Sequence, residues 1–128
     1  MSPGVPDEVH QLLDRCIAWV RQLDLLLLLR ETSDRDWSAN ELETALRSSS
    51  TAIDTDLSGL LRAEFVEVGS GPPTTWRYRS GPHDVTVEAL GRCYRTHRTS
   101  VVRIIASSGR SSLDEFADAF RRRKDPDG

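Results

Sequence analysis

Apolar positions in this chain recur mostly at helical spacing, and only one short stretch alternates. Val9, Leu12, Leu13, Cys16, Ile17 and Val20 fall at steps of three and four and predict an amphipathic helix beginning near Pro6. Pro6 suits a first helical position, and Asp7 and Glu8 suit a first turn. Leu23 to Arg30 is apolar on nearly every side. Such a helix is central to its fold or covered by another chain. Asp24 can cap it if it starts anew. Thr32 to Asp36 is a polar loop.

From Ser38 to Arg79 the pattern is denser in signals. Ser38 and Glu41 have the spacing of a capping box, and Leu42, Ala45 and Leu46 give the helix behind it one buried stripe. Ser48, Ser49 and Ser50 offer turn and capping hydroxyls. Ile53, Leu57, Leu60 and Leu61 then mark a second helix, with Thr51, Asp54, Thr55, Ser58 and Arg62 on its opposite face. Gly59 lowers its intrinsic helicity and suits close packing against the preceding helix. Phe65 to Val68 is rich in strand formers. Thr74 to Arg79 alternates, with Trp76 and Tyr78 on one face and Arg77 and Arg79 on the other. The Gly69-Ser70-Gly71-Pro72-Pro73 link is too long for a two-residue turn and should project. Asp36-Trp37-Ser38 can add a short third strand.

Ser80-Gly81-Pro82 marks a break. Asp84 to about Ser107 reads as one long helix whose Val87, Leu90, Tyr94, His97, Val101 and Ile104 form a heptad-like seam. That seam predicts a homodimer. With His97 at it, acid should loosen the pair. A last helix is marked by the Ser112–Glu115 capping box and the face Leu113, Phe116, Ala117 and Phe120, and it offers a possible surface for a protein partner. Arg121 to Lys124 close it. The expected organisation is a disordered start over 1–6, a first unit over 7–80, C-terminal dimerisation or packing helices over 81–124, and a frayed tail over 125–128.

Helix, tight turn, helix and hairpin together resemble the winged helix-turn-helix domains of bacterial ArsR-like and MarR-like transcriptional regulators. The resemblance rests on the leucine-rich Leu23–Arg30, the Trp37-Ser38 helix entry and Ser50-Thr51-Ala52-Ile53. It also rests on Leu60 to Val66 and the strand through Trp76 and Tyr78. It covers under half of the chain. It implies a mainly α fold of α+β winged-helix type, flanked by N-terminal and C-terminal helices. It also implies double-stranded DNA as partner and the second helix of the pair as the groove reader. Ser49, Ser50, Thr51, Thr55 and Ser58 would then face bases or phosphates, and Arg62, Arg77 and Arg79 would hold phosphates.

Charge complicates that expectation. The 128 residues carry a net charge of −3, which argues against indiscriminate binding to nucleic acid or membrane surfaces. Lys124 is the one lysine, so the positive charge is nearly all arginine. Thr32 to Glu64 holds seven acids against three arginines, and Phe65 to Arg110 holds seven arginines against three acids. The reading helix is therefore acidic, while the hairpin and long helix are basic. Asp54 and Asp56 near phosphates would repel. The alternative is a winged helix that serves as a protein interaction module and does not bind DNA.

Other chemistry finds little support. Leu25 to Leu29 is too short to span a bilayer, and Cys16 and Cys93 lack metal or redox spacing, which favours a reducing cytoplasm. Cys93 and His97 stand at i, i+4 with no third metal ligand in evidence, so no metal and no cofactor is expected. His10, His83 and His97 have no nucleophile at motif spacing, and the glycine-rich link lacks the lysine and helix of a phosphate loop. No enzymatic activity is expected.

Overall fold

The computed structural model describes residues 4–107. Its elements in chain order are α1 (Asp7–Cys16), α2 (Val20–Glu31), β1 (Trp37–Ser38), α3 (Ala39–Leu46), α4 (Ser50–Arg62), β2 (Val66–Val68), β3 (Thr75–Tyr78), α5 (Asp84–Thr96) and α6 (Arg98–Ser107). The fold is mainly helical with one three-stranded antiparallel sheet in the order β1-β3-β2. The last helix expected from sequence, Ser112 to Lys124, lies outside the described residues.

α2 is the centre of the molecule. Leu23, Leu25, Leu26 and Leu29 are fully buried, and α2 packs on α3, α4 and β3. Its start differs from expectation. α1 ends at Cys16, Ile17 and Trp19 are extended, and α2 begins at Val20, so Asp24 lies inside the helix. Gln22 replaces a conventional cap: its Oε1 accepts from the Ala18 N–H at 2.8 Å. Pro6 is the residue before α1 rather than its first helical one.

The α3–α4 pair forms as its local signals dictate. Ser38 accepts from the Glu41 N–H at 3.2 Å, and Glu41 Oε1 accepts from the Ser38 N–H at 2.9 Å. Both halves of the capping box are thus made. Arg47 ends α3 in the left-handed region, with φ 52°. Ser49 then caps α4, accepting from the Ala52 N–H at 3.1 Å. Ile53, Leu57 and Leu60 face inward, and Leu42 meets them from α3. Gly59 does pack closely, but on α2 rather than α3. A Cβ there would stand 2.6 Å from Gln22 Nε2.

Trp37 pairs with Trp76, and Val66, Glu67 and Val68 pair with Tyr78, Arg77 and Trp76. The short third strand therefore exists, and it completes the hairpin's free edge.

Three expectations are corrected. The long C-terminal helix is two helices that break at His97, where φ is −133°. The break lets α6 turn onto α1, which α5 also contacts. Second, the heptad-like seam is spent inside the chain. Val87, Leu90, Tyr94, Val101 and Ile104 are core residues, while His97 is exposed and hydrogen-bonded through Nδ1 to Thr96 Oγ1 at 2.9 Å. His97 thus stands outside the buried seam, its ring against Gly4. Third, the start of the chain is not all loose. Val5 is buried in the core, and the Gly4 carbonyl accepts from the Cys93 thiol at 3.4 Å.

Candidate nucleic-acid interface

α4 presents one face to solvent. Ser50, Thr51, Asp54, Thr55, Ser58, Leu61 and Arg62 are exposed along it, and Ser49 is exposed just ahead of it. The hydroxyls cluster toward the N-terminal half, and Arg62 closes the C-terminal end. The Ser49 hydroxyl is occupied as a cap, which leaves its second lone pair and proton for other contacts.

Asp56 corrects the charge reading of this helix. It is 2% exposed, not part of the solvated face. Its Oδ2 accepts from Arg21 Nε at 3.0 Å, and its backbone carbonyl accepts from Gln22 Nε2 at 3.2 Å. Burial raises its carboxyl above the usual range, and Arg21 opposes that shift only in part. Its Oδ1 has no hydrogen-bond partner. The exposed side of α4 consequently carries one acid, Asp54, and one base, Arg62.

On β3 the side chain of Trp76 meets α4, so Arg77 and Arg79 project from the other face of the sheet, and each meets an acid. Arg77 Nε stands 3.0 Å from Asp36 Oδ1, out of line for a hydrogen bond. Arg79 donates through one terminal nitrogen to Glu64 Oε1 at 3.4 Å. The expected hydroxyls and Arg62 therefore share the exposed side of α4, while Arg77 and Arg79 stand apart on the hairpin, each beside an acid.

The base of the hairpin is held by a polar node that sequence reading missed. The Tyr78 hydroxyl donates to Asp84 Oδ1 at 2.6 Å, and Arg30 donates to both Asp84 oxygens at 3.0 and 3.4 Å. Arg30 also lies 3.7 Å from Glu88. The bonds from Arg30 first, then Tyr78, hold the Asp84 carboxyl below its usual range. Burial and the neighbouring carboxylate push the Tyr78 phenol well up, so it stays a donor. His83 packs edge-on against Phe65 with ring centres 4.6 Å apart. The node joins β3, α2 and α5. Only the pairing of Asp84 with a helix start was legible in sequence: Arg30 lies 54 positions away, and Tyr78, though 6 positions away, reaches Asp84 only through the turn between β3 and α5.

Leu57, Leu61, Val68 and Trp76 line a shallow groove between α4 and the sheet, with Asp54 and Ser58 on its rim. Leu61 and Val68 are 42% and 48% exposed.

Among the described residues no three His, Cys, Asp or Glu side chains are grouped to hold a metal ion. Cys93 is buried, its thiol raised by desolvation, and His97 is exposed with its ring against Gly4. Among the same residues no helix is long and apolar enough to cross a membrane. No protein-family model, curated protein or solved structure matches the chain.

Proposed function

We propose that this chain is a transcriptional regulator of winged helix-turn-helix type that binds double-stranded DNA, with α4 as its groove-reading helix and the β2–β3 hairpin as its wing. The observation that carries this reading is the chemistry of α4's solvent face. Ser50, Thr51, Thr55 and Ser58 are exposed on it, while Asp56 is turned inward to Arg21. Hydroxyls can bond base edges or phosphates, and Asp54 can accept from cytosine N4. Arg62 closes the face, and it would supply phosphate contacts together with Arg77 and Arg79 of the wing. A homodimer reading two half-sites would use surfaces other than the α5–α6 seam, which the chain itself buries.

The test is a fluorescence-anisotropy titration against duplex from the protein's own upstream region, repeated over a salt series with Arg77→Ala/Arg79→Ala alongside. Binding should weaken steeply with salt. The double variant should flatten the log–log salt slope by about 0.9 for each lost phosphate contact. An unchanged slope would remove the wing arginines from the interface.

The groove lined by Leu61, Val68 and Trp76 favours a second reading. Exposed apolar side chains gain more from a protein partner than from a phosphate backbone. A chain that binds no duplex at low salt, and that loses a defined protein partner on Leu61→Asp, would be an interaction module instead.

A further inference from the structure

Glu64 occupies a position that glycine would take at no steric cost. α4 ends in a Schellman arrangement. The Phe65 N–H donates to the Leu60 carbonyl at 3.0 Å, and the Glu64 N–H donates to Leu61 at 3.0 Å. Such an ending needs a left-handed residue between helix and strand, and Glu64 fills it with φ 65°. A side chain there is strained, whereas glycine is not. What the glutamate adds is its carboxylate, which reaches Arg79. Asp36 stands in the same relation to Arg77, from the residue just ahead of β1. Arg77 on β3 and Arg79 just past its end thus each face an acid from a different part of the chain. All four side chains reach solvent, although Arg77 Nε itself is buried without a hydrogen-bond partner, so each pair is weak and open to exchange. A carboxylate on an arginine offers what a phosphate oxygen offers.

We propose that Asp36 and Glu64 act as built-in phosphate mimics, which occupy the wing arginines and restrain sequence-independent DNA binding. The inference rests on the DNA-binding reading. Phosphates must displace the two carboxylates before Arg77 and Arg79 can hold the backbone. The strand arginines then contribute only where α4's own contacts bring the duplex close enough to compete. Asp36 and Glu64 are specificity-determining residues in this scheme, and neither touches a base.

The experiment measures binding to a random-sequence duplex by anisotropy, at several salt concentrations, using the full chain. The variants are Asp36→Asn, Glu64→Gln, the two combined, Glu64→Gly, and Glu64→Gln in an Arg79→Ala background. Each neutralised acid should tighten binding about two- to fivefold at low salt. Each should also steepen the log–log salt slope by about 0.9. The gain from Glu64→Gln should vanish when Arg79 is alanine. Glu64→Gly should raise the melting temperature and tighten binding, whereas Glu64→Gln should tighten binding with no such rise, and the comparison separates relief of backbone strain from release of the arginine. Wild-type binding with no gain in any variant overturns the mask and leaves the DNA reading standing. A Glu64→Gln gain that persists without Arg79 also overturns it, because Glu64 then acts as general charge. Binding by the neutralised variants alone supports both. No binding by any form at low salt overturns the DNA reading, and the mask falls with it.

Discussion

Asp56 shows how much one residue's surroundings can change a surface's chemistry. On a helical wheel it falls near Ile53 and Leu60, at the edge of the apolar stripe, although its charge suggests a place near solvent. Its burial depends on Arg21 and Gln22, 35 and 34 positions away, which no local pattern encodes. The buried carboxylate is a net burden in its charged form. Its folded pKa is raised, so the folded state holds the proton more tightly than the unfolded chain, and stability falls as pH rises through that range. Asp56→Asn has no such titration. The stability of Asp56→Asn relative to wild type should therefore increase as pH rises from about 3 to 6, measured by thermal melts across a buffer series. A difference that is flat or falls with pH would show that Arg21 fully compensates the burial. Gln22 is a second case: a buried amide that starts one helix and supports another.

Among the elements, those with a short-range code were legible. The capping box at Ser38 and the cap at Ser49 follow from neighbours in sequence, and the strands at Trp37 and through Trp76 were marked by their residue types, though not their register. The helix breaks were not. Neither the Ile17–Trp19 break nor the one at His97 contains proline or glycine, so no residue announces it. Packing sets both: the chain must turn for α1 and α6 to lie together. The Tyr78–Asp84–Arg30 node ties three such elements together. Asp84's folded pKa is depressed, so its stabilisation is present above the unfolded value and is lost as pH falls through the folded one. Asp84→Asn should cost about 1–2 kcal/mol at neutral pH, as three bonds to a charged acceptor are weakened. That gap should close on acidification, and chemical denaturation at neutral and acid pH would show it. An equal gap at both would remove the charge from the explanation.

For the whole molecule, the start of the chain is tied to its later helices. Val5 is 7% exposed in the core, and Gly4 lies against Cys93 and His97. Val5→Ser should cost about 1–2 kcal/mol of folding stability by denaturant titration, a polar group replacing a buried apolar one. No measurable change would mean that the N-terminal residues dock without contributing. The class of fold was readable from the order of elements. The candidate site was half readable: its hydroxyls and arginines could be listed, but their ion pairs could not, because Asp36–Arg77 and Glu64–Arg79 form only once the sheet is built. The sheet's order carries a consequence for assembly. β3 lies between β1 and β2 yet comes last of the three along the chain. During synthesis Trp37 therefore leaves the ribosome without a ladder partner, and it stays so until Trp76 follows it out. The helical pair α3–α4 must span that wait on its own caps and its contacts with α2, and the sheet closes over a scaffold already standing.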